Sequence, residues 1–289
     1  MNDIKPQTPV ITTTTMPAEG TKAAGPPKST MREYFESFVV TLIMAIFGMT
    51  FILQAVTVPT GSMQNTILIG DYLLVNKFIF TPGGNELPFL PQREIKRGDV
   101  IVFKYPGNKL HPEADKRHGD SAIAYQVNYV KRVIGLPGET VEFRDNDVYI
   151  NGQLLSENRV IGDPPTLGDQ QSALVPAPPF EDTRPDAKWT VYYSKESMDL
   201  VRAGQHISRR GYEFGVQGKT MVVPENSFFV MGDSRDNSED SRYWGFVPRD
   251  LIVGRAMFVY WSCDRGASNG SALACITHPR FSRIGHFVK

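Results

Sequence analysis

The chain has 289 residues and a balanced charge, with 31 lysine and arginine residues against 31 aspartate and glutamate residues. This length allows one large domain or two smaller ones, and the lack of net positive charge argues against a nucleic-acid-binding protein. The 25 glycines and 21 prolines are typical of a β protein with many turns.

The N-terminal segment is predicted to be a disordered tail over residues 1–32. Residues 1–30 are rich in threonine, proline, alanine and glycine, and they show no periodic apolar pattern. Such a composition cannot bury enough apolar surface to order the chain.

A long apolar segment follows, from Phe38 to Val56, and nothing charged occurs between Glu36 and Asp71. About 19 apolar residues can cross a bilayer core of about 30 Å as a helix. A cleaved signal peptide would have a shorter apolar core followed by a small-x-small site, which TVPTGS matches poorly. A buried core helix is the other alternative, but the segment is long and apolar all round. We therefore predict a single membrane anchor over residues 33–57.

The charges beside this segment predict its orientation. Lys22, Lys28 and Arg32 precede it, and no positive charge follows until Lys77. The excess of positive charge on the N-terminal side predicts a cytoplasmic N-terminus and an extracytoplasmic body.

The remainder, residues 58–289, is predicted to be a mainly β domain. Short apolar stretches such as YLLVNKFIF, DVIVFKYP, WTVYY and SFFVMG are separated by turn signals, and TVEFRDNDVYING is typical of a hairpin. Two proline-rich stretches, near 81–94 and 155–219, are predicted to be irregular inserts, the second as a possible small lobe.

One lysine falls on the apolar side of a predicted strand. In YQVNYVKRVI, residues 125–134, Lys131 shares a face with Tyr129 and Val133, whereas Arg132 lies on the more polar face and is expected to reach solvent. Lys131 could extend its ammonium group to water, pair with a buried carboxylate, or be desolvated so that its pKa falls.

Three further signals were weighed as possible sites. Cys263 and Cys275 could form a disulfide or remain free thiols, and they lack the partners that zinc requires. EFGVQGKT ends like a phosphate-binding loop but has Glu213 where the first glycine is needed. GDSRDNSEDSR has Arg235 where a calcium loop needs an oxygen ligand. We therefore predict no metal and no cofactor.

Four motifs occur in order after the anchor: PTGSM at 59–63, RGDVIVFKYP at 97–106, YVKRVIGLPGE at 129–139 and GDSRDNSEDSRYWGFVP at 232–248. Together they closely resemble bacterial type I signal peptidases. The resemblance covers the chain from the anchor to about Trp261, apart from the two inserts. It departs from the family at Gln64 and Asn65, where a proline is usual, and at Ser234, where the family often has asparagine.

The resemblance implies a Ser–Lys dyad on a β fold shared with self-cleaving repressor-type proteases. It makes Ser62 the nucleophile, Lys131 the general base and Thr60 an oxyanion-hole donor. The remaining implied roles are support of the dyad by Ser238 and Asp240, and pockets for small substrate side chains lined by Val58, Met63, Tyr129 and Val130. Asp240 is expected to act on Lys131 indirectly, since a directly paired carboxylate would keep the lysine charged.

The chemistry of the residues agrees with this assignment. Ser62 alone could be an ordinary turn residue, and a serine hydroxyl is a weak nucleophile until a base removes its proton. None of the five histidines lies in a motif, so the base would be a lysine. A lysine with the ordinary pKa of about 10.4 is almost fully charged at neutral pH, so it must be buried to act.

Three functions remain open. The first is a serine endopeptidase, anchored in the bacterial inner membrane with a periplasmic or extracytoplasmic catalytic domain. It would remove signal peptides from membrane-bound secretory preproteins after a small-x-small site. The second is a pilin- or conjugation-type peptidase with one dedicated substrate. The third is a catalytically silent, membrane-anchored β module that binds exported proteins, for which an apolar-face lysine has no purpose.

Overall fold

The computed structural model describes residues 30–80, 92–110, 124–145, 147–163, 175–182, 184–203, 212–264 and 274–289. The predicted tail up to residue 29 and most of the first predicted insert, residues 81–91, lie outside this part of the chain. The chain divides into two compact units, Met1–Ala45 and Ile46–Lys289.

The apolar segment is helical for most of its length. Helix α1 covers Thr30–Phe47 and continues as a π-helical stretch over Gly48–Ile52, and no residue of either is buried. Strand β1 then covers Leu53–Thr57. Residues 53–57, the last of the predicted anchor, form this first strand of the body and pair with residues 72–76, and the helical part of the segment ends at Ile52.

A seven-stranded sheet forms the centre of the second unit, in the order β1-β2-β14-β3-β4-β12-β13. The strands that join β1 are β2 (Asp71–Asn76), β3 (Val100–Lys104), β4 (Asn128–Gly135), β12 (Ser227–Met231), β13 (Val247–Pro248) and β14 (Ile252–Ser262). All of their pairings are antiparallel. The prediction of a mainly β body is confirmed.

Two smaller sheets accompany this one. The predicted hairpin is present and belongs to a four-stranded sheet of β5 (Thr140–Arg144), β6 (Asp147–Ile150), β7 (Gln153–Leu154) and β11 (Met221–Val222). The region predicted as a second insert contributes a three-stranded sheet of β8 (Asn158–Asp163), β9 (Val175–Asp182) and β10 (Thr190–Ser194), followed by helix α2 (Lys195–Arg202). Two short helices, α3 (Ser241–Trp244) and α4 (Ala274–Thr277), complete the described helices.

Apolar clusters cover both faces of β4. Val133 belongs to a cluster with Ile101 and Phe103 of β3, whereas Ile134 belongs to a cluster that includes Val191 and Tyr193 of β10. The second predicted insert therefore shares an apolar core with the central sheet.

This packing corrects one prediction. Arg132 was expected to reach solvent, but it is 1% exposed. Its guanidinium lies 5.4 Å from the ring centre of Trp189 and forms two hydrogen bonds with Asp233, at 2.7 and 2.6 Å. Arg132 is buried because the segment that contains Trp189 covers this end of the strand.

The C-terminal segment packs beside β14. Cys263 and Cys275 form a disulfide, which answers the question that the sequence left open. Arg283 donates to the Asp71 carboxylate at 2.6 Å, and Arg280 donates to the carbonyl of Ile69 at 3.0 Å. The segment is thereby tied to the loop that leads into β2.

Candidate active site

Ser62 lies in a tight turn between β1 and β2. The turn is a single 3₁₀ stretch over Gly61–Met63, and Met63 anchors it because its side chain is buried in the core beneath β2. Asn65 continues the turn with a φ of 73°, a left-handed conformation that asparagine adopts more readily than most residues. Where a proline is usual, Asn65 thus adopts a left-handed backbone conformation.

Lys131 approaches this turn from the middle of β4. Its Nζ donates a 2.6 Å hydrogen bond to Ser62 Oγ, and its side chain is 1% exposed. The ammonium nitrogen also lies 5.4 Å from the ring centre of Tyr129. The two residues of the predicted dyad, 69 positions apart in the sequence, are therefore in direct contact.

Burial changes the acidity of this lysine. Desolvation lowers the pKa of Lys131 from 10.5 to about 8, and the nearby carboxylates of Asp240 and Glu239 partly oppose that fall. A lysine with such a pKa is neutral in a useful fraction of molecules near pH 8, so it can accept a proton from a serine hydroxyl.

The loop after β12 packs directly on the serine turn. The Ser234 amide donates to the Ser62 carbonyl at 3.1 Å, so the backbone of Ser234 makes this contact. A Cβ atom at Gly232 would lie 2.4 Å from the Ser62 carbonyl oxygen and 2.3 Å from Ser238 Oγ. Only glycine leaves room for this close approach.

Asp240 holds the same loop together. Its carboxylate accepts hydrogen bonds from the Gly232 amide at 2.9 Å, from Ser238 Oγ at 2.8 Å and from the Arg242 guanidinium at 2.8 Å. Burial favours protonation of Asp240, but Arg242 and these hydrogen bonds keep its pKa below the ordinary value. Among the described residues Lys131 forms no ion pair with Asp240, and its hydrogen bond goes to Ser62.

The region predicted as the second insert contacts the back of this loop. Arg235 forms a buried, two-point ion pair with Glu157, at 3.0 and 2.5 Å. Asp236 accepts hydrogen bonds from the Ser194 amide at 2.7 Å and from Ser197 Oγ at 2.9 Å, at the start of helix α2.

A groove of about 630 Å³ opens over the dyad. The predicted substrate-pocket residues line it, as do the dyad, Thr60 and Ser238 (the pocket residues being Val58, Met63, Tyr129 and Val130). Asp240 lies behind this lining and is fully buried. The described part of the chain places no histidine in the groove.

Several residues that shape the site were not predicted from the sequence. The buried pair of Arg132 with Asp233 and the close contact at Gly232 were not predicted, and neither was the position of Glu239 in the groove wall. The motif GDSRDNSEDSR contains three of these four residues. Its many charged residues and its single glycine were the available signal that this loop shapes the site.

Comparisons with known proteins identify the family of the chain. The family model described as signal peptidase, peptidase S26, matches residues 31–261. The chain is 34% identical to a signal peptidase I of Pseudomonas aeruginosa over 272 residues, which cover 88% of this chain and 78% of the relative. It is 32% identical to a signal peptidase I of Aquifex aeolicus, with 80% and 85% covered, and 33% identical to one of Leptolyngbya laminosa, with 90% and 91% covered. The chain belongs to the signal peptidase family, peptidase S26, and is a serine peptidase.

Proposed function

We propose that this protein is a membrane-anchored endopeptidase that removes N-terminal signal peptides from exported preproteins, cutting after a small-x-small site by a Ser62–Lys131 dyad. The observation that carries the proposal is the 2.6 Å hydrogen bond between Lys131 Nζ and Ser62 Oγ at the base of the groove. Family membership supports a serine peptidase that acts on signal peptides.

The proposed reaction begins with neutral Lys131. It takes the hydroxyl proton of Ser62, and Ser62 Oγ attacks the scissile carbonyl carbon. The Ser62 amide and the Thr60 hydroxyl donate to the resulting oxyanion, and loss of one such donor typically raises the barrier by about 2.7–4 kcal/mol. Thr60 is exposed and lines the groove beside Ser62, which supports this role.

The same lysine completes the turnover. Protonated Lys131 gives its proton to the leaving amine as the peptide bond breaks and an acyl-enzyme ester forms on Ser62. Neutral again, Lys131 takes a proton from water, and the water oxygen attacks the ester carbon. As the carbon–Oγ bond breaks, Lys131 returns this proton to Ser62 Oγ, the signal peptide leaves with a free carboxylate, and the neutral lysine is restored. Ser238 and Asp240 hold the neighbouring loop in place, and neither needs to exchange a proton.

The pocket residues support selection of small side chains. Val58 and Met63 come from the segment between β1 and β2 that contains the serine turn, whereas Tyr129 and Val130 come from β4, so the two groups face the groove from different elements. Val58 and Met63 belong to the buried core, so their positions are fixed by packing. Fixed apolar walls favour alanine-sized residues on either side of an outward-facing one.

The anchor supports a substrate held at a membrane. The segment Thr30–Ile52 is the one described helix that is long and apolar enough to span a bilayer, and none of its residues is buried. About ten residues separate Ile52 from Ser62, so the extended chain reaches at most about 35 Å. A signal peptide has an apolar segment in the membrane and its cleavage site just outside.

The test is cleavage of a secretory preprotein by the purified full-length chain in detergent. Ser62→Ala should abolish cleavage, and Ser227→Ala, outside the groove, should leave it unchanged. N-terminal sequencing of the product should place the cut after a small-x-small site. A folded wild-type protein that cleaves none of several preproteins would favour the silent module, and one that cleaves a single pilin-type substrate would favour a dedicated peptidase.

A further inference from the structure

The lining of the groove is unevenly charged. Among the described residues that line it, the charged ones are Lys131, Asp236 and Glu239. Lys131 lies at the floor of the groove, where its Nζ is hydrogen-bonded to Ser62 Oγ. It must be neutral to accept the proton of Ser62. In the reactive state the groove therefore carries negative charge from one wall, residues 236–239, which we call the carboxylate wall.

The two carboxylates of this wall differ in their surroundings. Asp236 is partly buried, and its oxygens accept hydrogen bonds from Ser194 and Ser197. Glu239 is exposed, although its neighbours Ser238 and Asp240 are both buried. Glu239 is therefore the carboxylate that meets both solvent and whatever occupies the groove.

The carboxylate of Glu239 interacts electrostatically with the amine of Lys131. It is the second largest of the charge interactions on Lys131, after that of Asp240, and it raises the pKa of Lys131. A carboxylate that interacts electrostatically with the Lys131 amine also interacts with substrate charges close to the scissile bond, because the amine and the scissile bond both lie at the floor of the groove.

The position of the carboxylate wall indicates which part of the substrate it meets. The proposed pockets for residues before the cut lie on the segment between β1 and β2 and on β4, at Val58, Met63, Tyr129 and Val130. The carboxylate wall belongs to neither of these elements. Because they supply the pockets for the residues before the cut, the wall is the part of the lining left to contact the residues after it.

We propose that Glu239 is a specificity-determining residue that favours preproteins with a positively charged side chain in the first two positions of the mature chain and disfavours acidic ones there. The inference rests on the proposed function and names the substrate class of that same groove. Because Glu239 is exposed, its interaction is screened by water, and the expected discrimination is about two- to fivefold for each change of one charge.

The experiment measures kcat/KM of the full-length chain in detergent on a matched peptide series. Each peptide keeps the same small-x-small site and carries glutamine, lysine or glutamate at the first or second position after the cut. The wild type should prefer lysine to glutamine and glutamine to glutamate, and the preference should weaken as salt is added.

Two variants separate Glu239 from general surface charge. Glu239→Gln should bring the lysine-to-glutamate ratio close to one while the neutral peptide is still cleaved, and Glu239→Lys should reverse the order. Glu225→Gln removes an exposed carboxylate outside the groove lining and should leave the wild-type ratio. Glu239→Gln should also move the pH midpoint of cleavage downward, because the carboxylate that raises the pKa of Lys131 is gone.

The outcomes are distinguishable. A ratio that Glu239→Gln leaves unchanged, a wild type without charge preference, or a preference confined to positions before the cut would each overturn the inference while the proposed function stands. If the wild-type protein fails to cleave even the neutral peptide and the preproteins, the proposed function fails and the inference falls with it.

Discussion

Lys131 lies in the middle of β4, where its buried amine is hydrogen-bonded to Ser62 Oγ. Burial lowers the pKa of Lys131 to about 8, and only the neutral amine can accept the proton of Ser62. We expect kcat/KM on a soluble peptide to rise about tenfold per pH unit below this pKa and to level off above it. The measurement is a pH profile from pH 6 to 10 at constant ionic strength.

The control for this profile is Lys104→Met, which removes an exposed lysine at the end of β3 and should not move the midpoint. A profile centred near the ordinary lysine pKa of about 10.4, or one without an ascending limb, would contradict the role of a desolvated base.

The same burial should cost stability. A fall in the pKa of Lys131 from 10.5 to about 8 corresponds to about 3 kcal/mol against its charged form, at about 1.4 kcal/mol per unit. Below pH 8 the lysine is protonated in both states, so the whole cost is present. Between pH 8 and 10.5 the unfolded state binds more protons than the folded state, and stability rises with pH.

Lys131→Met should therefore raise the free energy of unfolding by up to about 3 kcal/mol at pH 7, with the gain fading as the pH approaches 10.5. Urea unfolding of both full-length proteins in detergent at pH 7 and pH 10 measures the difference. A variant that is less stable than the wild type at pH 7 would show that the lysine contributes to packing more than its charge costs.

The period-two pattern of β4 put Lys131 on the apolar face but left open whether its amine reached water, and it gave the wrong environment for Arg132. The pattern predicts which side chains share a face, and a face without many apolar residues is expected to be exposed. Arg132 is instead buried under Trp189, which lies 57 positions away and was in a segment predicted to be irregular. A contact of such sequence separation leaves no local signal at either residue.

At the scale of elements, the site depends on how closely the serine turn and the loop after β12 approach each other. Gly232→Ala would place a Cβ atom 2.4 Å from the Ser62 carbonyl oxygen, so one of the two backbones must move. We expect a loss of about 1–3 kcal/mol in unfolding free energy. We also expect about 100-fold lower kcat/KM, because a shift of about 1 Å misplaces Ser62.

Gly48→Ala is the matched control, since a Cβ atom there meets nothing within 4 Å. Urea unfolding and peptide cleavage measured on both variants separate crowding from the general effect of alanine. Normal activity in Gly232→Ala would mean that the loop adjusts without moving Ser62.

The second predicted insert is expected to support the active-site loop through Glu157. Replacement by glutamine leaves the buried Arg235 charge without the carboxylate that neutralises it, and loss of one member of a buried pair costs about 3–5 kcal/mol. Glu142→Gln is the control, because Glu142 pairs with the half-exposed Arg144 and should cost less than about 1 kcal/mol. Equal effects in urea unfolding would contradict the supporting role.

The strands and the hairpin followed from alternation and turn residues, whereas the role of this insert did not. Its prolines indicated an irregular segment, yet β8 and β10 form a parallel pair and share a core with the central sheet. Proline restricts local backbone geometry, but it carries no information about which distant apolar face the segment covers. The apolar helix of the predicted anchor also followed from a local pattern, whereas the residue at which it ends depended on the pairing of β1 with β2.

At the scale of the whole molecule, two independent features bear on the proposed extracytoplasmic location of the body. The basic residues before α1 favour a cytoplasmic N-terminus. The disulfide between Cys263 and Cys275 favours an oxidising compartment for the body. Both support the extracytoplasmic placement of the catalytic domain that the proposed function requires.

The disulfide also tethers the C-terminal segment, whose Arg283 donates to the Thr66 carbonyl and to Asp71 in the loop that follows Ser62. It closes a loop with a sequence separation of 12, and loops of this size gain about 3 kcal/mol from closure. We expect the double variant Cys263→Ser/Cys275→Ser to lose about 2–3 kcal/mol of unfolding free energy. The double variant should still cleave peptides at temperatures well below its own melting temperature, because Ser62 and Lys131 are held mainly by β2, β4 and the loop after β12.

Urea unfolding of the oxidised wild type, the reduced wild type and the double variant measures this contribution, and alkylation of the unreduced protein counts its free thiols. The reduced wild type should match the double variant, since both lack the cross-link. If the oxidised wild type has no free thiols and yet unfolds like the double variant, the arginine contacts alone hold the C-terminal segment. Cleavage lost together with the disulfide, in protein that is still folded, would show instead that the segment positions the serine turn.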